Sequence, residues 1–272
     1  MLLTFLILFR ESLEAFLLVG ILLAYLARIG ARRYARWIYA GVAGGLAASL
    51  VAAFVLQVLV DQFSNELYRA LLTAAIMFAA TCILTYMAIW MGKQARAHTE
   101  HAKRQLEEHI SAGNVLGIAT LAFFSVWREG LETVLFLSAL TYTGQDLSLL
   151  GGVLGMVLAV ALIWLLISGT RRVPMHIFFR YTSLLLIIIA AGLLGSAIAT
   201  LQGAGVAIGP SQPLFDVSGV MSDASGPGVF LRGLFGYNAT PTPAQFALWA
   251  IYLIVAVILW RRGFAAPRPK AA

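Results

Sequence analysis

Seven runs of this chain are long and apolar enough to cross a lipid bilayer, at roughly 2–27, 37–60, 70–92, 113–142, 147–169, 181–202 and 244–260. A bilayer's hydrocarbon core is about 30 Å thick, and a helix needs about 20 consecutive apolar residues to span it. The sequence therefore predicts an all-α polytopic membrane protein. Over 272 residues, 61% are hydrophobic and 11% charged, whereas soluble domains are about a quarter charged; a soluble enzyme is excluded. The first run does not read as a cleaved signal peptide. It lacks a basic leader, is too long, and carries Arg10, Glu11 and Glu14 in its middle. The single cysteine, Cys82, lies in an apolar run, which excludes an intrachain disulfide framework, a cysteine-ligated zinc site and an iron–sulfur cluster.

Lysine and arginine in the connections set the direction of the spans, because they favour the cytoplasm. Arg28, Arg32, Arg33 and Arg36 follow span one, and Lys93, Arg96, Lys103 and Arg104 follow span three. Arg171, Arg172 and Arg180 follow span five, and Arg261, Arg262, Arg268 and Lys270 close the chain. The opposite side has Arg69 and Arg232. Fifteen against two places the N-terminus outside and the C-terminus in the cytoplasm. The net charge of +7 therefore faces the anionic lipid of the bilayer, not nucleic acid.

Six charges remain inside the spans: Arg10, Glu11 and Glu14 in span one, and Arg128, Glu129 and Glu132 in span four. At about 2.5–3.5 kcal/mol each near a helix centre, six facing lipid would cost roughly 15–20 kcal/mol. They must face one another or water within the bundle. Each set also repeats the other. Phe9-Arg10-Glu11-Ser12-Leu13-Glu14-Ala15-Phe16-Leu17 aligns with Trp127-Arg128-Glu129-Gly130-Leu131-Glu132-Thr133-Val134-Leu135. Spans two and five, which follow the two copies, open with Gly41/Gly45 and Gly151/Gly155, a spacing that lets helices approach closely. The copies lie in spans one and four, an offset of three spans, so they run in opposite directions. The expected architecture is seven transmembrane helices in one membrane domain: an inverted 3+3 repeat with a seventh helix added. Repeat one covers about 1–92, a polar cytoplasmic loop about 93–112, and repeat two about 113–202. An external loop of about 203–243 and a last helix and tail of about 244–272 follow. Transporters built this way hold their substrate near the midplane, where the repeats meet.

Glu11 lies about 15 Å into its span at 1.5 Å per residue, close to mid-membrane, and helical spacing puts Glu14 on the same face as both Arg10 and Glu11. Four carboxylates offer only hard oxygen ligands, which suit hard or highly charged cations. Two arginines against four glutamates leave two negative charges in excess, so a cation is the natural occupant. A purely structural clamp would need one glutamate per arginine, not two.

Two membrane-embedded Arg-Glu-x-x-Glu motifs, in spans one and four of seven, resemble the high-affinity, oxidase-dependent iron permease family and its bacterial members. The resemblance runs from Phe9 to the last span. It implies that Glu11, Glu14, Glu129 and Glu132 pass the metal, with Arg10 and Arg128 as their basic partners. Family members carry Asp-Ala-Ser-Glu in the last external loop. Here Asp223-Ala224-Ser225 is followed by Gly226, so Asp223 alone carries over, as a ligand gathering the ion at the outer mouth. Leu234-Phe235-Gly236-Tyr237 also resembles the bacterial members. By this resemblance the chain is a bacterial inner-membrane permease importing ferric iron supplied by a periplasmic iron-binding protein or an oxidase. Iron is the transported substrate, and no cofactor is permanently bound. Ferrous iron, manganese and lead are the alternative cargoes.

Among the other polar residues, His98, Glu100, His101, Glu107, Glu108 and His109 of the cytoplasmic connection read chiefly as a solvated connector, or as a station receiving the departing ion. Asp61, Glu66 and Asp146 read chiefly as solvated acids at span ends, or as groups gathering cations at the outer mouth. Trp37, Tyr39 and Trp260 read as interfacial anchors. The apolar stretch Val229 to Tyr237 either lies on the membrane or dips into the protein. A membrane-embedded redox enzyme is the alternative from another class. Haem needs axial ligands such as histidine, and all four histidines, 98, 101, 109 and 176, fall on the cytoplasmic side. A di-iron carboxylate oxidase needs Glu-x-x-His pairs, which the sequence lacks, as it lacks a phosphate-binding loop for ATP.

Overall fold

A computed structural model of the chain describes residues 1–62, 65–144, 146–167, 175–210, 212–223, 228, 231–232 and 235–264, with side chains for all of these except 61, 90–103, 166–167, 175–179 and 263–264. Among the residues singled out above, Arg171, Arg172, Ala224, Ser225, Gly226, Leu234, Arg268 and Lys270 lie outside the described residues. So do the side chains of Asp61, Lys93, Arg96, His98, Glu100, His101, Lys103 and His176.

The described residues form helices α1 (Leu2–Arg28), α2 (Ala35–Asp61), α3 (Glu66–Ser111), α4 (Val115–Tyr142), α5 (Leu149–Ile167), α6 (Met175–Gly203) and α7 (Pro243–Phe264), with one 3-10 turn at Arg32–Tyr34 and no strand. Four contain segments apolar and long enough to span a membrane: Arg32–Val60, Glu66–Ile89, Arg180–Gly203 and Pro243–Arg262. In α1 and α4 the motif charges interrupt the apolar run, and the described apolar part of α5 is shorter, Leu149–Leu165. The chain is a helical, polytopic membrane protein.

Two compact units make up the chain: Met1–Ser64 with Arg96–Val173, and Asn65–Ala95 with Pro174–Ala272. Both sequence repeats contribute to the first unit, which contains α1, α2, α4, α5 and the end of α3. Its helices reverse direction at glycines. Gly113 adopts φ +64°, and the Gly113 and Asn114 N–H groups donate to the Ile110 and His109 carbonyls at 3.0 and 2.9 Å, a Schellman closure of α3. Asn114 then caps α4, its side chain accepting from the Gly117 N–H at 2.9 Å. Gly30, at φ +74°, ends α1 the same way, with Ala31 donating to Leu26 at 2.9 Å.

Helix directions in this unit follow from its contacts. Leu22 and Leu26 of α1 share a buried cluster with Ile118 and Ala122 of α4, while the Ser148 N–H, just past α4, donates to Thr4 Oγ1 at 3.2 Å. The start of one helix therefore meets the end of the other, and α1 and α4 are antiparallel. The glycine pairs fix the remaining directions. A β-carbon on Gly41 would collide with the Ala119 carbonyl, and one on Gly45 would lie 2.9 Å from the Phe123 carbonyl and 3.1 Å from the Trp127 nitrogen. On α5, a β-carbon on Gly151 would collide with the Met1 carbonyl, and one on Gly155 would lie 2.6 Å from the Phe5 carbonyl and 2.9 Å from the Phe9 nitrogen. Met1, Phe5 and Phe9 are the motif-aligned counterparts of Ala119, Phe123 and Trp127. Each repeat's glycine helix thus packs on the other repeat's motif helix in the same register, with α2 parallel to α4 and α5 parallel to α1.

The polar connection expected over 93–112 is helical through Ser111. Its lysines, arginines, glutamates, glutamines and alanines are good helix formers, and fully buried Leu106 joins the Leu22–Ile118 cluster. The Tyr25 hydroxyl adds a hydrogen bond to Glu107 Oε1 at 2.6 Å.

In the second unit, the described end of the apolar stretch, residues 235–237, packs into the protein. Gly236 lies against the backbone of Gly192 in α6, and Trp249 Nε1 of α7 donates to the Phe235 carbonyl at 2.9 Å. Trp260 corrects the expectation of an interfacial anchor. It is buried, its Nε1 donates to Ser183 Oγ at 2.8 Å, and the Arg180 guanidinium stacks over its ring. Tyr39 is exposed, as an anchor requires.

Candidate metal centre

The antiparallel pairing of α1 and α4 brings the two motifs face to face. Each arginine holds the two glutamates of its own helix, through the next residue and through the residue one turn on. Arg10 Nη1 pairs with Glu11 Oε1, and Arg10 Nη2 lies 2.7 Å from Glu14 Oε1. Arg128 Nη2 lies 2.6 Å from Glu129 Oε1, and its Nε 3.5 Å from Glu132 Oε1. The repeat seen in the sequence is therefore a repeat of contacts.

These pairs engage one oxygen of each carboxylate. The second oxygens of Glu11, Glu129 and Glu132 are buried with no hydrogen-bond donor among the described residues, and Glu14 Oε1, although 2.7 Å from Arg10 Nη2, receives no well-directed hydrogen bond either. Ligand oxygens of Glu11, Glu129 and Glu132 lie within 4.8 Å of one another. Glu14 falls outside that triad and is held to Arg10. A buried carboxylate oxygen without a donor costs more than the usual penalty of about 1–3 kcal/mol for an orphaned polar group. One cation held among the three carboxylates would supply what these buried groups lack. Gly130, the small residue inside the second motif, admits α2: a β-carbon there would collide with Ser49 Oγ, whose hydroxyl is turned away to the Gly45 carbonyl at 2.8 Å.

A cavity of about 370 Å³ reaches this centre from the α3–α4 reversal. His109 and Gln105 line one end, and Ser125, Arg128 and Glu129 line the other, with Leu18 of α1 between them. Of these, His109, Arg128 and Glu129 stand out in the sequence itself. Ser125 carried a usable signal, since it precedes Arg128 by three residues and so shares its helical face. Asp223, expected at the outer mouth, belongs to the second unit, where its carboxylate lies 4.0 Å from Arg232 Nη1. Glu66 and Asp146 are exposed.

The family model for the Iron permease FTR1 family matches residues 1–265. The chain belongs to that family. Curated relatives agree along the whole length. It is 34% identical to the ferrous iron permease EfeU of Yersinia pestis, over 98% of this chain and 94% of that protein. It is also 34% identical to the ferrous iron permease EfeU of Escherichia coli O157:H7, over 98% and 96%, and to that of Shigella sonnei strain Ss046 over the same shares. No solved structure matches. As a member of the iron permease family, the chain is a transporter and not an enzyme.

Proposed function

We propose that this permease imports iron across the bacterial inner membrane through the four-glutamate centre. The observation that carries the reading is the convergence of carboxylate oxygens of Glu11, Glu129 and Glu132 from two antiparallel helices to within 4.8 Å of one another, each of these side chains also keeping a buried oxygen without a donor. Oxygens on opposite sides of an ion bound at about 2.0–2.2 Å stand about 4.0–4.4 Å apart, so a spread of 4.8 Å needs only a small contraction. Glu11, Glu129 and Glu132 are the ligands of this resting arrangement. Glu14 joins as a fourth when Arg10 shifts, and Arg10 and Arg128 balance part of the charge. The basic connections put the N-terminus outside and the C-terminus in the cytoplasm, with seven spans built as an inverted 3+3 repeat and an added helix. Iron reaches the outer mouth from a periplasmic iron-binding protein or an oxidase, and Asp223 is the entry ligand that the family resemblance implies on that side.

Ferrous iron fits the centre's charge. Two arginines and four glutamates leave an excess of two negative charges, which a divalent ion neutralises, and the relatives are named for ferrous iron. Ferric iron is the second reading. It is favoured by the hardness of four carboxylates and by the resemblance to oxidase-dependent members. Uptake of radiolabelled iron into proteoliposomes tests both, with ascorbate for the ferrous form and citrate for the ferric form. The proposal expects uptake that Glu132→Gln abolishes at matched protein levels. Equal uptake by the wild type and Glu132→Gln overturns the centre, and the preferred arm identifies the ion.

A further inference from the structure

The two halves of the carboxylate centre are not equally enclosed. Arg10 and Arg128 make corresponding contacts, yet Arg10 is 2% exposed and Arg128 45%. The cavity at the α3–α4 end ends on Arg128 and passes Ser125 one turn before it. The motif-aligned positions of α1 closest to Arg10 on its face are sealed. Ile7, the counterpart of Ser125, is 4% exposed and Leu3 is buried beside it, while Thr4 is also buried and accepts a hydrogen bond from the Ser148 N–H. One copy of the motif adjoins open space where the other adjoins packed core.

We propose that Arg128 is the gate of the carboxylate centre. The cavity between it and His109 is the passage through which the cation exchanges with solution at the α3–α4 end, while the α1 side is shut in this conformation. The proposal rests on the four-glutamate reading above. For an ion to leave, one arginine must release its glutamates, and a released guanidinium needs water or another polar partner. Arg128 has that space beside it. Arg10 is surrounded by the motif carboxylates and core. The passage is wide enough for the ion to regain its water: six waters at about 30 Å³ each fill about 180 Å³, against a cavity of about 370 Å³. Gln105, Ser125 and His109 offer polar atoms along the way. In an inverted pair the opposite state exchanges the two environments. Arg10 would then be the exposed arginine, behind a passage opened at Ile7 and Leu3.

The test uses thiol accessibility in the intact permease. Cys82→Ser removes the chain's single cysteine, and Ser125→Cys, Thr120→Cys and Ile7→Cys are each added to it. Sealed vesicles of both orientations are treated with a membrane-impermeant methanethiosulfonate. Ser125→Cys is expected to react at least tenfold faster than Ile7→Cys and from one face only, with Thr120→Cys reacting from that same face. Arg128→Lys, which keeps the charge but loses the forked contact, is expected to speed the reaction of Ser125→Cys several-fold, and Arg10→Lys to leave it unchanged. Equal rates at positions 125 and 7 overturn the proposal, as does absence of reaction at both 125 and 120. Leu3→Cys serves as the sealed-side probe if Ile7→Cys does not reach the membrane. Thiol modification needs no iron, so these failures would fault the passage alone. The expected labelling pattern without slowing by ferrous or ferric iron would fault the four-glutamate reading alone.

Discussion

Gly45 lies against the backbone of Phe123, so close that a β-carbon would come within 2.9 Å of the Phe123 carbonyl. Gly155 stands in the same relation to Phe5, at 2.6 Å, and Phe5 is the motif-aligned counterpart of Phe123. The glycines bring each motif helix against a helix from the other repeat, and so tie the carboxylates of both copies to one scaffold.

Alanine at either glycine is therefore expected to be costly, and to a similar degree. Neither contact is with a flexible side chain that can step aside; both are with backbone. Overpacking of this kind costs about 1–3 kcal/mol. Gly45→Ala and Gly155→Ala should each lower the melting temperature of the detergent-solubilised permease by several degrees. Gly203→Ala has nothing within 4 Å of its added carbon and should leave the melting temperature in place. A scan of the three variants by intrinsic tryptophan fluorescence decides the matter.

The two arginines should differ in what their removal does. Arg10→Ala leaves the carboxylates of Glu11 and Glu14 buried without their counter-ion, and breaking a buried pair from one side costs about 3–5 kcal/mol. Arg128 is partly exposed to the cavity, so water there screens part of its loss, and the cost is expected to be smaller than at Arg10. Arg10→Ala should therefore be recovered at low yield and melt early, while Arg128→Ala should be recovered near wild-type yield with impaired uptake. Size-exclusion profiles of fluorescently tagged variants give the comparison. Equal losses would mean that the two arginines share one environment.

The helices were legible because a bilayer demands about 20 apolar residues at a time, and nothing else in the chain imitates that. The motif pair was legible because charge inside a span is too expensive to be incidental. The glycine pairs announced a close approach, but not the partner. That Gly41 and Gly45 meet α4 while Gly151 and Gly155 meet α1 depends on tertiary packing. The end of α3 was misread because a polar run suits a connector and an exposed helix equally well; only buried Leu106 separates them. The difference between Arg10 and Arg128 was hidden for another reason. Their motifs match almost residue for residue, and what distinguishes them is flanking residues such as Ile7 and Ser125.

Leu106 should anchor the last turns of α3. It is fully buried with Leu22, Leu26 and Ile118, and large-to-small changes at such sites cost about 2–5 kcal/mol. Leu106→Ala is expected to loosen the α3–α4 reversal without unfolding the remainder of the helix bundle. Trypsin should then cut after Arg104 in the variant several times faster than in the wild type. Tyr25→Phe removes one exposed hydrogen bond to Glu107 and should raise the cutting rate much less. If Leu106→Ala is as resistant as the wild type, the segment does not depend on that cluster.

The four glutamates should not be equivalent for binding. Glu11, Glu129 and Glu132 bring oxygens within 4.8 Å of one another. Glu14 lies outside this triad, held by Arg10 at 2.7 Å. Glutamine preserves the shape of glutamate but removes the charge and replaces one acceptor with a donor. Glu11→Gln, Glu129→Gln and Glu132→Gln should each weaken ferrous-iron binding by at least about tenfold, the lower end of what disturbing a metal site costs. Glu14→Gln should weaken it by about threefold or less while slowing uptake more than binding, since Glu14 is needed only once Arg10 has moved. Iron-dependent quenching of Trp127, beside Arg128 on the motif helix, reports binding in detergent, and proteoliposome uptake reports transport. Equal losses of affinity across all four variants would place Glu14 in the resting site. An undiminished uptake rate in Glu14→Gln would remove it from the path.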